Sequence, residues 1–212
     1  MSLIDVLADA QGGHCFANLS RHFQVTPEQA HGCAVALKPV IARQIGDLLQ
    51  SDHGIESFLA ALANPAVTAV ATAADTLADP SIRHTGETMG RQLECHSTGS
   101  SDTIGDISRQ AHVGHQTLRA MLPFLTLLFV AAIRSSAAPA FRKVLARHQP
   151  NDANTDPFEF VLDYRSRMRD ERAAEVQPRS WLKQILSSTV PESEALTYRL
   201  DVSPERLSHV SI

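Results

Sequence analysis

Apolar positions recur along this chain at spacings of three and four residues, and β-branched alternation is nearly absent, so the pattern predicts an all-α fold. Leu3, Val6, Leu7 and Ala10 form one stripe that Gly12 and Gly13 interrupt, and Phe16, Leu19, Ser20 and Phe23 form the next. In "TPEQ" Thr26 suits an N-cap, Pro27 the first helical residue and Gln29 the reciprocal cap. A helix is therefore expected from there to about Leu49, bent at Pro39 where a backbone donor is missing. Asn64-Pro65 and Asp79-Pro80 punctuate further helices at about 55–63, 66–78 and 81–95. His96 to Asp102, "HSTGSSD", reads as a loop. A short helix over 103–111 and a turn at Val113-Gly114 then lead into a long apolar helix over 115–133.

That last helix carries "MLPFLTLLFVAAI", Met121 to Ile133, closed by Arg134. A bilayer-spanning helix needs about 20 apolar residues, so this run is expected to be a helix buried on all sides in a soluble core rather than a membrane span. After Ala138 the texture changes: charges become dense and balanced, as in "YRSRMRDERAAE". Two domains follow from this, a compact helical domain over 1–138 and a charged helical appendage over 139–212, with helices expected at about 158–175, capped by Asp156 and Pro157, and 179–188. The appendage gathers its apolar side chains in "SWLKQIL". Trp181, Leu182, Ile185 and Leu186 make a compact stripe there and are the candidate partner contacts, docking on the first domain or on another protein.

At an offset of 88, "FANLSRHFQVTPEQA" from Phe16 overlies "IGDISRQAHVGHQTL" from Ile104, with Ser20/Ser108, Arg21/Arg109 and Val25/Val113 identical. Duplication and coincidence between two helical hairpins both explain this overlay.

The outline helix, short turn, helix over residues 16–38 also raises DNA reading by a helix-turn-helix. Such a helix must present several cations and amides to phosphates and base edges. Between Thr26 and Gln50 the cations are Lys38 and Arg43, set against Glu28 and Asp47, and the chain as a whole has a net charge of -4. Nucleic acid is thus an unfavoured partner, kept as the alternative reading.

Ten histidines and three cysteines invite a metal site. His14-Cys15, His31-x-Cys33, Cys95-His96 and His112-x-x-His115 each offer two donors, but none has the convergent spacing of a metal-binding motif. Cys15, behind Gly12-Gly13-His14 at a helix start, is the best nucleophile candidate, and no elbow motif, phosphate loop or acid pair accompanies it. No catalytic residue, cofactor, metal or small-molecule substrate is expected. An odd cysteine count behind a start without a basic, apolar leader favours reduced thiols in a cytoplasm.

"LIDVLADAQGG", "LSRHFQVTPEQA", "ALKPVI" and "VGHQTLRAMLPFLTLL" together resemble the YidB-like family of bacterial helical proteins of unknown function. The resemblance covers residues 3–134 and is carried by Ala10, Gln11, Gly12, Gly13, Phe23, Leu118, Met121, Leu122 and Pro123. It implies an all-α fold and a bacterial origin and supplies no catalytic residues. Gln24 departs from it, standing at a turn position where the family has glycine, so a left-handed backbone is expected to be borne there by a side chain at some cost. The expected role is a non-enzymatic protein-interaction or scaffold module, with a protein partner or self-association.

Overall fold

The computed structural model describes residues 2–94, 103–148 and 155–170, and every regular element among them is helical. Helix α1 (Leu3–Gly13) opens with a capping box between Ser2 and Asp5. Its last turn unwinds through three left-handed residues, Gln11, Gly12 and Gly13, with φ of 55°, 69° and 84°. Two of the three are glycines, which adopt that conformation without a Cβ penalty. Helix α2 (Cys15–Phe23) follows, and α3 (Pro27–Leu48) begins at the expected box: Thr26 Oγ1 accepts from Gln29 N at 3.2 Å while Gln29 Oε1 accepts from Thr26 N at 2.9 Å.

Helix α4 (Asp52–Ala63) starts three residues before the expected Ile55, because Ser51 Oγ accepts from Gly54 N at 2.9 Å and caps a turn the apolar pattern does not mark. Asn64 then caps α5 (Pro65–Thr72). The single helix expected over 66–78 is broken at Ala73, whose φ of -130° and ψ of 129° are extended, and a 3-10 turn (Ala74–Ala78) completes the span. Thr72 Oγ1 donates back to the carbonyls of Thr68 and Ala69, and the break turns Leu77 into the core, where it is buried. Helix α6 (Pro80–Glu94) follows a cap from Asp79, and α7 (Thr103–Ala111) precedes the longest element, α8 (His115–His148).

All residues from Phe124 to Ile133 of α8 are buried. Helices α1, α5 and α6 pack along α8, so its apolar surface is covered from several sides. Helix α6 comes closest at Gly86: a Cβ there would lie 2.9 Å from Pro123 Cα, so only glycine lets the two backbones approach this far.

Helix α8 does not end at Arg134 and continues for fourteen residues, through Pro139 to His148. Arg134 is no terminator because its charge is met inside the fold. It pairs with Asp156, donates to the carbonyl of Leu62, and sits with its guanidinium carbon 4.8 Å from the Phe158 ring centroid. The expected division at Ala138 therefore falls within a continuous helix. Beyond it, α9 (Pro157–Asp170) packs on α4 and α8, with Phe158 fully buried, Val161 buried, and Phe158 against Phe141 at 4.2 Å between centroids. The expected Asp156 cap is present, Asp156 Oδ1 accepting from Phe158 N at 2.8 Å. The loop at 96–102, the end of the helix expected to Glu175, the helix expected at 179–188 and the stripe Trp181, Leu182, Ile185 and Leu186 lie outside the described residues.

The two hairpins aligned at an offset of 88 repeat each other in atomic detail. Helices α2 and α7 each have 9 residues, and both end in a left-handed residue, Gln24 at φ 55° and His112 at φ 52°. In the first, Val25 N donates to Ser20 O at 3.1 Å and Ser20 Oγ donates to Val25 O at 2.6 Å. In the second, Val113 N donates to Ser108 O at 3.1 Å and Ser108 Oγ to Val113 O at 2.5 Å. This is a helix C-cap closed twice by the same serine and the same valine, and Leu19 and Ile107 point into the core at matching places.

Candidate functional site

A concave feature of the described surface runs along α8. Its floor is Leu128, Ala131, Ser135 and Pro139, and its walls are Val6, Asp9 and Ala10 from α1 and Ala71 from α5. This hollow has a volume of about 570 Å³, and a neighbour of about 380 Å³ shares Ala71, Ala131, Ser135 and Pro139 with it. The neighbour extends the furrow past Thr68 and Arg142 to the start of α9 at Pro157 and Phe158. From Leu128 to Arg142 the floor rises about 21 Å, at 1.5 Å per residue.

Small side chains make this furrow. After the bulky run to Phe129, α8 reads "AAIRSSAAPA" from Ala131 to Ala140, and residues this short leave a trench between flanking helices that larger ones would fill. Ser135 and Pro139 are exposed on the floor, while Val6, Ala10 and Ala71 are half-buried. Asp9 lies at one end and Arg142 at the other, both exposed. Apart from Arg134, which is paired with Asp156, and the Phe158 ring, the rest of the lining is aliphatic or hydroxylic. It suits the apolar side chains of a docked segment, and it holds no pairing of nucleophile and base.

The residues singled out for chemistry lie elsewhere. Cys15 stands at the first position of α2 with no exposed surface, and burial pushes its thiol up to about 12. Desolvation of the thiolate thus outweighs whatever the helix dipole contributes, and Cys15 is a core residue. Cys33, equally buried, is pushed up to about 11 for the same reason. His31 packs edge-on to Phe16 at 5.1 Å. Among the described residues no three His, Cys, Asp or Glu side chains gather as a metal site would require, and Cys95-His96 lies outside them.

The helix-turn-helix outline over 16–38 is present as α2, turn and α3, but its second helix is held between neighbours. Ala30, Cys33, Ala34 and Leu37 are buried, Gly32 lies against Ala111 of α7, and Gln29 Nε2 donates to His112 O at 2.6 Å. What α3 shows to solvent includes Glu28, His31, Val35, Arg43 and Asp47, a set with one cation and two carboxylates. Val35 is 41% exposed.

Gln11, part of the "AQGG" run, has a structural use that sequence reading missed. Its buried amide donates to Val70 O at 2.9 Å and accepts from Asn18 Nδ2 at 2.8 Å, tying the unwound end of α1 to α5 and α2. The furrow was missed too, although the small-residue run from Ala131 was visible directly after the apolar stretch.

No family model, no curated protein and no solved structure matches this chain.

Proposed function

We propose that this protein is a non-enzymatic helical interaction module, and that the furrow along α8 is its contact surface for a protein partner. The observation that carries this reading is the furrow itself: an open trench about 21 Å long, floored by small and apolar side chains and flanked by three helices, which fits an apolar helix or strand of another polypeptide better than a reacting small molecule. The stripe Trp181, Leu182, Ile185 and Leu186 belongs to the same proposal as a second apolar contact element. The resemblance of residues 3–134 to the YidB-like family, with the bacterial origin it implies, is part of the proposal and rests on the residues quoted for it.

A cytoplasmic, membrane-free setting is likewise proposed. Helix α8 is long and apolar enough over His115–Arg147 to cross a bilayer, with a mean hydropathy of 1.7 in its most apolar window, but 72% of that window is buried within the protein. The core helix of a soluble protein has that character. Nucleic-acid binding is the weaker alternative, because the exposed side of α3 offers little positive charge for phosphate.

Ser135→Arg tests the proposal. Ser135 is exposed on the furrow floor, so the arginine fills the trench without entering the core. Partners recovered with the wild-type protein from its native cell should be lost with this variant and retained with Val35→Arg, on an exposed position of α3. Equal recovery by both variants refutes the furrow, and salt-sensitive binding of mixed duplex DNA in an anisotropy titration would move the reading to nucleic acid.

A further inference from the structure

We infer that the furrow receives one α-helix of about 14 residues from a different protein, aliphatic along one face, with carboxylates at one end and cations at the other. The inference rests on the reading of the furrow as the contact surface and adds the chemistry of the partner.

The walls select a helix over a strand. Walls and floor come from helices α1, α5, α8 and α9, so the furrow offers no sheet edge to the unpaired amides and carbonyls of an extended chain. A helix satisfies its own backbone and needs only side-chain contacts. The floor of about 21 Å holds about 14 helical residues at 1.5 Å each. Ala71, Ala131 and Ser135 are short enough for such a helix to approach α8 closely, touching it with the residues at i, i+4, i+7 and i+11 of one face.

Charge specifies the ends. Asp9 stands at the α1 end of the furrow and Arg142 at the α9 end, both exposed, and neither forms an ion pair with another described residue. Arg134, which also lines the furrow, is taken by Asp156. Lys143 and Arg147, exposed beyond Arg142 on α8, add to the positive end. An occupant with carboxylates near Arg142 and a cation near Asp9 complements both ends at once. Helices carry acidic residues best in their first turn and basic ones in their last, where the macrodipole favours them. The partner helix therefore runs antiparallel to α8, an arrangement in which the two macrodipoles also attract.

Shape disfavours a second copy. Two-fold packing of this face would match the same charges, but it sets one hollow against another and leaves a void where close packing requires atoms.

The test is a display library of helical peptides of about 14 residues, varied along one face and at both ends, selected on the full-length protein. The expected winners have an aliphatic stripe, Asp or Glu in the first turn and Lys or Arg in the last, and do not bind Ser135→Arg. Arg142 is exposed, so Arg142→Glu leaves the core intact. In an anisotropy titration it should bind a winning peptide roughly tenfold more weakly, and the factor should fall to about one when the peptide's first-turn carboxylates become amides. Asp9→Lys should act in the same way through the last-turn cations, and Val35→Arg should have no effect. Winners without charged ends overturn the inference, as does an Arg142→Glu effect that ignores the peptide's carboxylates. Self-association of the protein that Ser135→Arg abolishes assigns the furrow to a second copy and overturns it too. Native partners lost with Ser135→Arg, together with no end preference in the selection, remove the charged helix and leave the contact surface standing. Partners retained by Ser135→Arg remove both.

Discussion

Phe158→Ala asks whether the core of this protein ends where the charge pattern changes. Phe158 lies beyond Ala138, in the part of the chain whose composition suggests a solvated appendage, yet its ring has no exposed surface and packs 4.2 Å from that of Phe141. Truncating a fully buried phenylalanine removes its transfer free energy and leaves a cavity, together about 3 to 5 kcal/mol. Part of that loss is specific: an aromatic pair contributes about 0.5 to 1.5 kcal/mol beyond area, and the Arg134 guanidinium 4.8 Å above the ring adds a cation–π term. Arg134 keeps Asp156 and the Leu62 carbonyl in the variant, so no unpaired charge is created and the cavity estimate stands. With a urea slope of about 2 kcal/mol/M the midpoint should fall by roughly 1.5 to 2.5 M. Denaturant melts followed by far-UV circular dichroism, with Leu125→Ala as the reference for a buried α8 position at about 2 to 5 kcal/mol, supply the comparison. If Phe158→Ala lowers stability by less than about 0.5 kcal/mol, the size expected of a surface change, α9 does not belong to the core.

Gly86→Ala should cost several times more than the 0.5 to 1 kcal/mol (roughly) by which alanine normally improves a helix over glycine, because its Cβ would meet the Pro123 backbone; a neutral or stabilising result in the same melts refutes the close approach of α6 and α8. Gln24→Gly should stabilise by up to about 1 kcal/mol, since Gln24 holds a left-handed backbone at φ 55° on an exposed turn, and a loss of stability would contradict that geometry. In a Cys95→Ser variant, which leaves Cys15 and Cys33, a disulfide reagent at pH 8 should react only at the rate of unfolding. Both thiols are buried and raised, to about 12 and about 11, from an ordinary value of 9.0, so the folded state favours the neutral thiol. Their contribution to stability is full below pH 9 and declines as pH rises toward those values, and fast labelling of the native protein at pH 8 would show an accessible thiolate instead.

Local signals sufficed for much of this molecule. Thr26, Pro27 and Gln29 place the start of α3, Asp156 and Pro157 that of α9, and the serine and valine shared at an offset of 88 mark two hairpin turns that close with the same bonds. These features are legible because caps and turns are made by residues a few positions apart, so the chain carries both partners of each interaction in one short window. The buried character of Met121 to Ile133 is legible for a related reason: an apolar run must leave water whatever surrounds it.

The length of α8, the place of α9 and the furrow depend on partners distant in sequence. Arg134 looks like the end of an apolar helix until Asp156, Leu62 and Phe158 arrive to receive it, and a charge so received no longer forces the chain out of the interior. Phe158 looks like part of a charged appendage until Phe141, two residues beyond Pro139 on the continued helix, gives it a core to enter. The "AAIRSSAAPA" run is mostly small residues in sequence; it becomes a trench when α1, α5 and the start of α9 stand beside it, because a hollow is defined by what flanks it. Propensity and capping determined where helices form, and long-range packing decided where the core ends and which surface stays open, since a side chain's burial depends on neighbours that its own segment does not contain.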